Sequence, residues 1–190
     1  LLLYSYDDFA SLSDSANKLK GKTLLLMNDI DCGGKTLGDS FRNAFATDKN
    51  GTFNYLGIHS YDPENKGTKY SVSNFAISRS YMDKINAPMT ASIFADIGAA
   101  GEANAANPIK ISNVNFTDVT INADVGNDSI SELYVSSFAD NIYNAEITNV
   151  NVSVKIIASK LRGDEENPFF YEAEHVYART TENVKIDGCD

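Results

Sequence analysis

Four copies of one short pattern constrain this chain more than anything else in it. The pattern is Asn, apolar, any residue, apolar: Asn74-Phe75-Ala76-Ile77, Asn113-Val114-Asn115-Phe116, Asn149-Val150-Asn151-Val152 and Asn183-Val184-Lys185-Ile186. An apolar residue stands two positions before the Asn in the first three copies (Val72, Ile111, Ile147), and Thr181 takes that place in the fourth. The spacings of 39, 36 and 34 residues fall in the range of repeat architectures. Alternation of apolar and other residues marks each copy as a strand with one buried face.

A second landmark lies upstream of the Asn strands, at Ile93-Phe94-Ala95-Asp96-Ile97, Ser137-Phe138-Ala139-Asp140-Asn141-Ile142 and Pro168-Phe169-Phe170-Tyr171-Glu172. One such unit cannot bury its apolar face alone, so the units must stack. Stacking is expected to align Phe75, Val114, Val150 and Val184, and to align Phe94, Phe138 and Phe169 or Phe170. Asn tolerates left-handed backbone angles and suits a corner. Asn74, Asn113, Asn149 and Asn183 are therefore expected to form a hydrogen-bonded amide ladder, as amides do in stacked strands.

Around the repeats, residues 5–19 read as a helix. Ser5 is the N-cap, Asp7 and Asp8 lie in the first turn, and Phe9, Leu12, Ala16 and Leu19 form an apolar stripe ending before Gly21. An exposed solenoid end needs covering, and this helix is the candidate N-terminal cap. Thr23–Met27 reads as a buried strand, Asn28–Gly34 as a turn, 38–68 as loop-rich with a short strand over Thr52–Ile58, and Gly98–Pro108 as an inserted loop. The whole chain, 1–190, reads as one domain, with the repeat coils over 69–190. It starts on Leu1 and stops just after the fourth Asn strand with no second cap, so it reads as a piece of a longer chain whose coils continue beyond Asp190.

The opening residues carry a resemblance. Asp8-Phe9 through Ala16-Asn17, Gly21-Lys22-Thr23, Leu26, Asn28-Asp29-Ile30-Asp31 and then Phe45 with Gly51-Thr52-Phe53 resemble the opening segment of bacterial surface proteins with GLUG-type repeats. Tyr70–Ile77 matches the first Asn-led strand of that group. The chain departs from it where Ser92-Ile93-Phe94-Ala95 and Ser136-Ser137-Phe138-Ala139 stand in place of glycine-flanked Phe. The resemblance implies a right-handed parallel β-helix of the pectin-lyase type, secreted or held at the cell surface. The expected fold is thus an all-β solenoid: a right-handed parallel β-helix of about four coils with an N-terminal capping α-helix.

Charge narrows the partners. A net charge of −10 argues against nucleic acid and anionic membranes, which need a basic face. No apolar run approaches the roughly 20 residues that span a bilayer. Cys32 and Cys189 lie near opposite ends of an elongated stack, too far apart to bridge, and neither has zinc-site spacing.

Chemistry-bearing groups are few. Asp29 and Asp31 alternate, so they share one strand face and could offer oxygens to calcium; the competing reading is that they solvate the first coil and form its turn. Glu172 and Glu174 share a face while His175 takes the other, which separates the imidazole from the carboxylates. If the chain were a polysaccharide lyase or glycoside hydrolase, Asp29, Asp31, Glu172 and Glu174 would be its candidate acids, and three carboxylates converging within about 10 Å in a groove would favour that reading. Tyr55, Tyr61 and Tyr70 lie in or beside the loop-rich third, as loop aromatics that stack on sugars or protein surfaces do, and folding back onto the solenoid is their alternative. His59 alone reads as a surface side chain. The expected function is a non-catalytic, extracellular display or adhesion module that binds glycan or protein through 38–68 and 98–108. An enzyme is the first alternative and an inert stalk the second.

Overall fold

A computed structural model describes residues 1–15, 20–48, 50–80, 89–101, 104, 106–124, 132–159, 170–175 and 177–190. The chain opens with β1 (Leu2–Leu3), α1 (Tyr6–Ala10), α2 (Leu12–Ser15), β2 (Lys22–Leu26), β3 (Ile30–Leu37), α3 (Asp39–Arg42) and β4 (Tyr55–Ser60). Strand then dominates: β5 (Tyr70–Ser80), β6 (Met89–Ala91), β7 (Phe94–Ile97), β8 (Ile109–Asp124), β9 (Glu132–Ser136), β10 (Ala139–Ser159), β11 (Phe170–His175) and β12 (Ala178–Asp187). The fold is all-β, and these named strands pair only in parallel. The larger sheet runs β1-β2-β4-β8-β10-β12, with β3, β5 and β7 attached to it, and β11-β9-β6 form the smaller one.

Parallel strands need long crossovers, so each strand pairs with one from the next passage of chain. The register places like over like. Leu24, Ile58, Ile111, Ile147 and Ile186 form one inward row across five strands. The first four are buried and Ile186, on the last strand, is 42% exposed. Each buried member contributes about 1.5–3 kcal/mol of transfer free energy. Aromatic rings fill the interior alongside this row: Phe9 on Phe41 at 4.8 Å, Phe41 on Phe94 at 5.6 Å, Phe94 on Phe138 at 5.4 Å and Phe138 on Tyr177 at 5.9 Å.

The Asn corners form, but as three corners rather than one. Asn74, Asn113, Asn149 and Asn183 all hold left-handed φ between 52° and 57°, and Asn144 and Asp118 join them at 46° and 52°. At the first corner Asn183 lies beside Asn144 and donates to its Oδ1 at 2.7 Å. At the second, Asn149 lies beside Asn113 and donates to its Oδ1 at 2.7 Å. At the third, Asn74 lies beside Asp118 on one side and donates to Asp31 Oδ1 at 3.0 Å on the other. The single ladder expected of the four repeat Asn residues is therefore corrected. Val114 and Val150 do pair, but Phe75 pairs with Val119 and Val184 with Ala145. The cause is that each passage turns several times, and any turn needing φ > 0 selects the same residue.

The two long loops sit at these corners. Ile97 pairs with Ile142 and Ile109 with Ala145, so residues 98–108 take the place held by Tyr143 and Asn144 in the next passage. His59 pairs with Ser112 and Tyr70 with Val114, so residues 60–69 stand where Asn113 stands alone.

Other expectations meet the structure unevenly. Ser5 caps α1 in a capping box, its Oγ accepting the Asp8 N–H while the Asp8 carboxylate accepts the Ser5 N–H at 3.0 Å. The helix expected over 5–19 is instead two short ones, α1 and α2. Ser11 separates them, its hydroxyl donating to the Asp8 carbonyl at 2.7 Å and competing with the helical ladder. Ala16 and Leu19 lie outside the described residues, as does Phe169. The third ring of the aromatic stack is Tyr177, because Ala139 pairs with Ala178 and so sets Phe138 over Tyr177. The expected turn at 28–34 is largely strand: β3 begins at Ile30 and carries a bulge in which Gly33 and Gly34 take φ of 62° and 74° opposite Asn74. Cys32 and Cys189 are both free.

Candidate functional site

The outward face of β2, β4 and β8 holds the candidate site. Strand alternation puts Thr23, Gly57 and Lys110 on one outward row and Leu25, His59 and Ser112 on the next. Gly57 is required in the first row. Its φ is 144°, and a Cβ placed there would lie 1.8 Å from the Lys110 carbonyl oxygen. No side chain therefore rises between Thr23 and Lys110, and the row has a gap.

The inserted loop covers that gap. Asn144, buried at the first corner, donates its side-chain amide to the carbonyls of Ala99 at 2.8 Å and Gly101 at 3.1 Å. Gly98 donates its N–H to the Phe45 carbonyl at 3.0 Å, and Asn104 donates to Gly101 and Ala100. So anchored, the loop brings Ala106, Asn107 and Pro108 beside the sheet, and with Thr23, Leu56, His59, Lys110 and Ser112 they line an open cavity of about 540 Å³.

Its lining is mixed. Leu56, Ala106 and Pro108 are apolar; Thr23 and Ser112 bring hydroxyls, Asn107 an amide and His59 an imidazole. Lys110 is the only charged member among the described residues, and its ammonium meets Glu146 at 3.2 Å on the neighbouring strand. Burial of the imidazole holds His59 below its usual pKa, so it is neutral near pH 7.

Of the four candidate acids, the side chains of Asp29 and Asp31 are described, and both bond to the backbone and amides around them. Asp29 Oδ1 accepts the Ser71 N–H at 2.8 Å. Asp31 Oδ1 accepts the Gly33 N–H at 2.8 Å and the Asn74 amide at 3.0 Å, and these two bonds hold its carboxyl below the usual range. Both aspartates thus serve the third corner and its approach. The backbones of Glu172 and Glu174 belong to β11, and their side chains lie outside the described residues. Among the described residues no three His, Cys, Asp or Glu side chains gather as a metal site would require.

The tyrosines separate. Tyr55 is fully buried and presents no ring to a ligand; Leu56 is the extra residue at the β2–β4 register shift, so the alternation that puts Gly57 outward does not extend back to Tyr55. Tyr61 is 43% exposed on the outer surface, and Tyr70 is half-buried at the start of β5, its N–H donated to Ser60 Oγ at 2.8 Å. The second corner carries an extra contact at its rim, with Lys69 Nζ donating to Asn149 Oδ1 at 3.0 Å and Asn151 Oδ1 at 2.9 Å.

Sequence reasoning missed two things. One is the cavity lining, whose available signals were Gly57 inside a strand and the length of 98–108. The other is a buried polar cluster in which Arg42 Nη2 donates to Asp140 Oδ2 at 2.8 Å and to Ser92 Oγ at 3.0 Å, and Arg42 Nε to the Ser92 carbonyl at 3.0 Å. Thr90 and Ser92 also donate to the Asp140 carboxylate, at 2.7 and 2.6 Å. Arg42 is 2% exposed, so this cluster fixes α3 to the strands and meets no solute. The Cys32 thiol, pushed up to about 11 by burial, is no nucleophile. Among the described residues no helix is long and apolar enough to cross a membrane. No family model, no curated protein and no solved structure matches this chain.

Proposed function

We propose that the chain is a non-catalytic display or adhesion module of an extracellular or surface-attached bacterial protein, binding glycan or protein through its corner loops. The scaffold we propose is a right-handed parallel β-helix of about four coils, with α1 and α2 as its N-terminal cap. Parallel pairing throughout and left-handed Asn corners support that scaffold. So does the burial of Phe9 and Leu12 against the core. The resemblance of the opening residues to bacterial surface proteins with GLUG-type repeats supports the location.

One observation carries the binding role. Leu56 and His59 from the 38–68 segment meet Ala106, Asn107 and Pro108 from the 98–108 loop around one cavity. An inserted loop and strands distant from it in sequence converge on a concave place of mixed apolar and polar lining, a form small-ligand sites take. The test is an array of glycans and matrix proteins probed with the 190-residue chain, with and without calcium. Selective retention that survives calcium removal is the expected result. Disappearance of a spotted polysaccharide would replace this reading with a catalytic one, and a blank array in both conditions would leave a stalk.

A further inference from the structure

We infer that the cavity under the 98–108 loop is a subsite for one or two units of an uncharged saccharide, and that the Lys110–Glu146 ion pair at its rim sets the preference for uncharged over acidic sugars. The inference rests on the adhesion reading and narrows it to a ligand class and a place.

Size decides first. A volume of about 540 Å³ lies within the roughly 300–1,000 Å³ of small-ligand sites. A stable protein partner would instead need on the order of 800 Å² of its own surface laid against the chain. The lining decides the chemistry. A hydroxyl, a carboxamide and a neutral imidazole can each both donate and accept a hydrogen bond, as a sugar hydroxyl does. Ser112, Asn107 and His59 supply these three, and Leu56 and Pro108 offer apolar surface for the C–H face of a pyranose ring.

Charge decides between sugar classes. Among the described residues no carboxylate lines the cavity, and the cation that does, Lys110, has Glu146 at 3.2 Å. A ligand carboxylate reaching the ammonium would lie beside the like charge of Glu146, on a chain whose net charge is −10. An uncharged sugar leaves the pair intact. The pair is solvent-exposed, with side chains 63% and 45% accessible, so its leverage is a few-fold in affinity and no more.

The experiment is an NMR titration of the full isotope-labelled chain with neutral disaccharides and with the uronic acid forms of the same disaccharides. Amide shifts centred on His59, Asn107, Lys110 and Ser112 are expected with the neutral set, and weaker binding of the acidic set. Ser112→Ala and Asn107→Ala should each weaken neutral binding about three- to tenfold, the loss of one hydrogen bond. Glu146→Gln should tighten acidic binding relative to neutral binding about threefold. All three are conservative surface changes, and unaltered circular dichroism confirms their fold. Neutral sugars that shift residues elsewhere would overturn the site and leave the adhesion reading intact. Acidic sugars binding wild type as tightly as neutral ones, or a ratio unmoved by Glu146→Gln, would overturn the charge rule. No response to any sugar overturns the whole inference, and a protein captured on the array would then be what survives of the adhesion reading.

Discussion

Asn149 donates its side-chain amide to Asn113 at 2.7 Å while both residues hold left-handed backbone angles, φ 54° and 53°. Two separate effects therefore meet at this corner. Asn149→Ala loses the amide contact and forces Ala into a conformation costing about 1–2 kcal/mol. With about 1 kcal/mol for each of the two lost hydrogen bonds, to Asn113 and from Lys69, the total expected by urea unfolding is ~3–4 kcal/mol. Asn149→Gly removes the amide without the strain, and its cost should be about half as large. Equal losses for the two variants would show that the backbone angle contributes nothing.

The buried Arg42–Asp140 pair makes a sharper prediction. Arg42→Met leaves the Asp140 carboxylate inside the protein with, among the described residues, hydroxyl donors from Ser92 and Thr90. Breaking a buried pair from one side costs about 3–5 kcal/mol. Replacing both partners, as Arg42→Met with Asp140→Leu, removes the stranded charge, so thermal unfolding should show the double variant more stable than Arg42→Met alone. If the double variant is the less stable of the two, the pair is not the source of the loss.

Gly57 and Gly51 both hold φ > 0 and should respond unequally to alanine. At Gly51 the Cβ meets nothing within 4 Å, so only backbone strain of about 1–2 kcal/mol is expected. At Gly57 the Cβ would run into the Lys110 carbonyl, parting β4 from β8 beneath the cavity. Gly57→Ala should cost at least ~3 kcal/mol, and hydrogen exchange should show β4 losing protection before the rest of the sheet. Similar losses at both positions would contradict the close approach.

His59 gives a pH dependence of known sign. Burial holds its pKa below the ordinary 6.5, so between the two values the unfolded chain binds a proton that the folded chain does not. Its contribution is fully present above about pH 6.5 and is lost as pH falls from there toward the depressed value. Wild type compared with His59→Asn from about pH 8 down to about pH 5 isolates this effect, because the carboxylates are common to both. Wild type should lose stability relative to the variant as pH falls, and a constant difference would exclude it.

What could be read from the residues was local, and what could not was a matter of register. Asn74, Asn113, Asn149 and Asn183 announced corners because φ > 0 selects Asn wherever it occurs. Nothing local told one corner from another, so the near-even spacing ran together residues from three of them. Phe94 and Phe138 were legible as stacked rings, whereas Tyr177 took the third place through pairing set elsewhere in β12. Tyr55 looked like a loop aromatic, yet the β4 register turned it into the core. Arg42 and Asp140 stand 98 positions apart, and no property of either predicts the other. The cavity depends on the gap at Gly57 and on a loop folding over strands distant in sequence, neither of which periodicity reports.

The two long insertions both leave the scaffold where it already turns, residues 98–108 in place of a two-residue corner and residues 60–69 in place of Asn113. Added length is thus absorbed where the chain changes direction, and the rows of Ile and Phe on either side keep their partners. The paired rows and the corner loops are in this sense separately editable. A loop lengthened, shortened or exchanged at a corner leaves the strand register on either side unchanged.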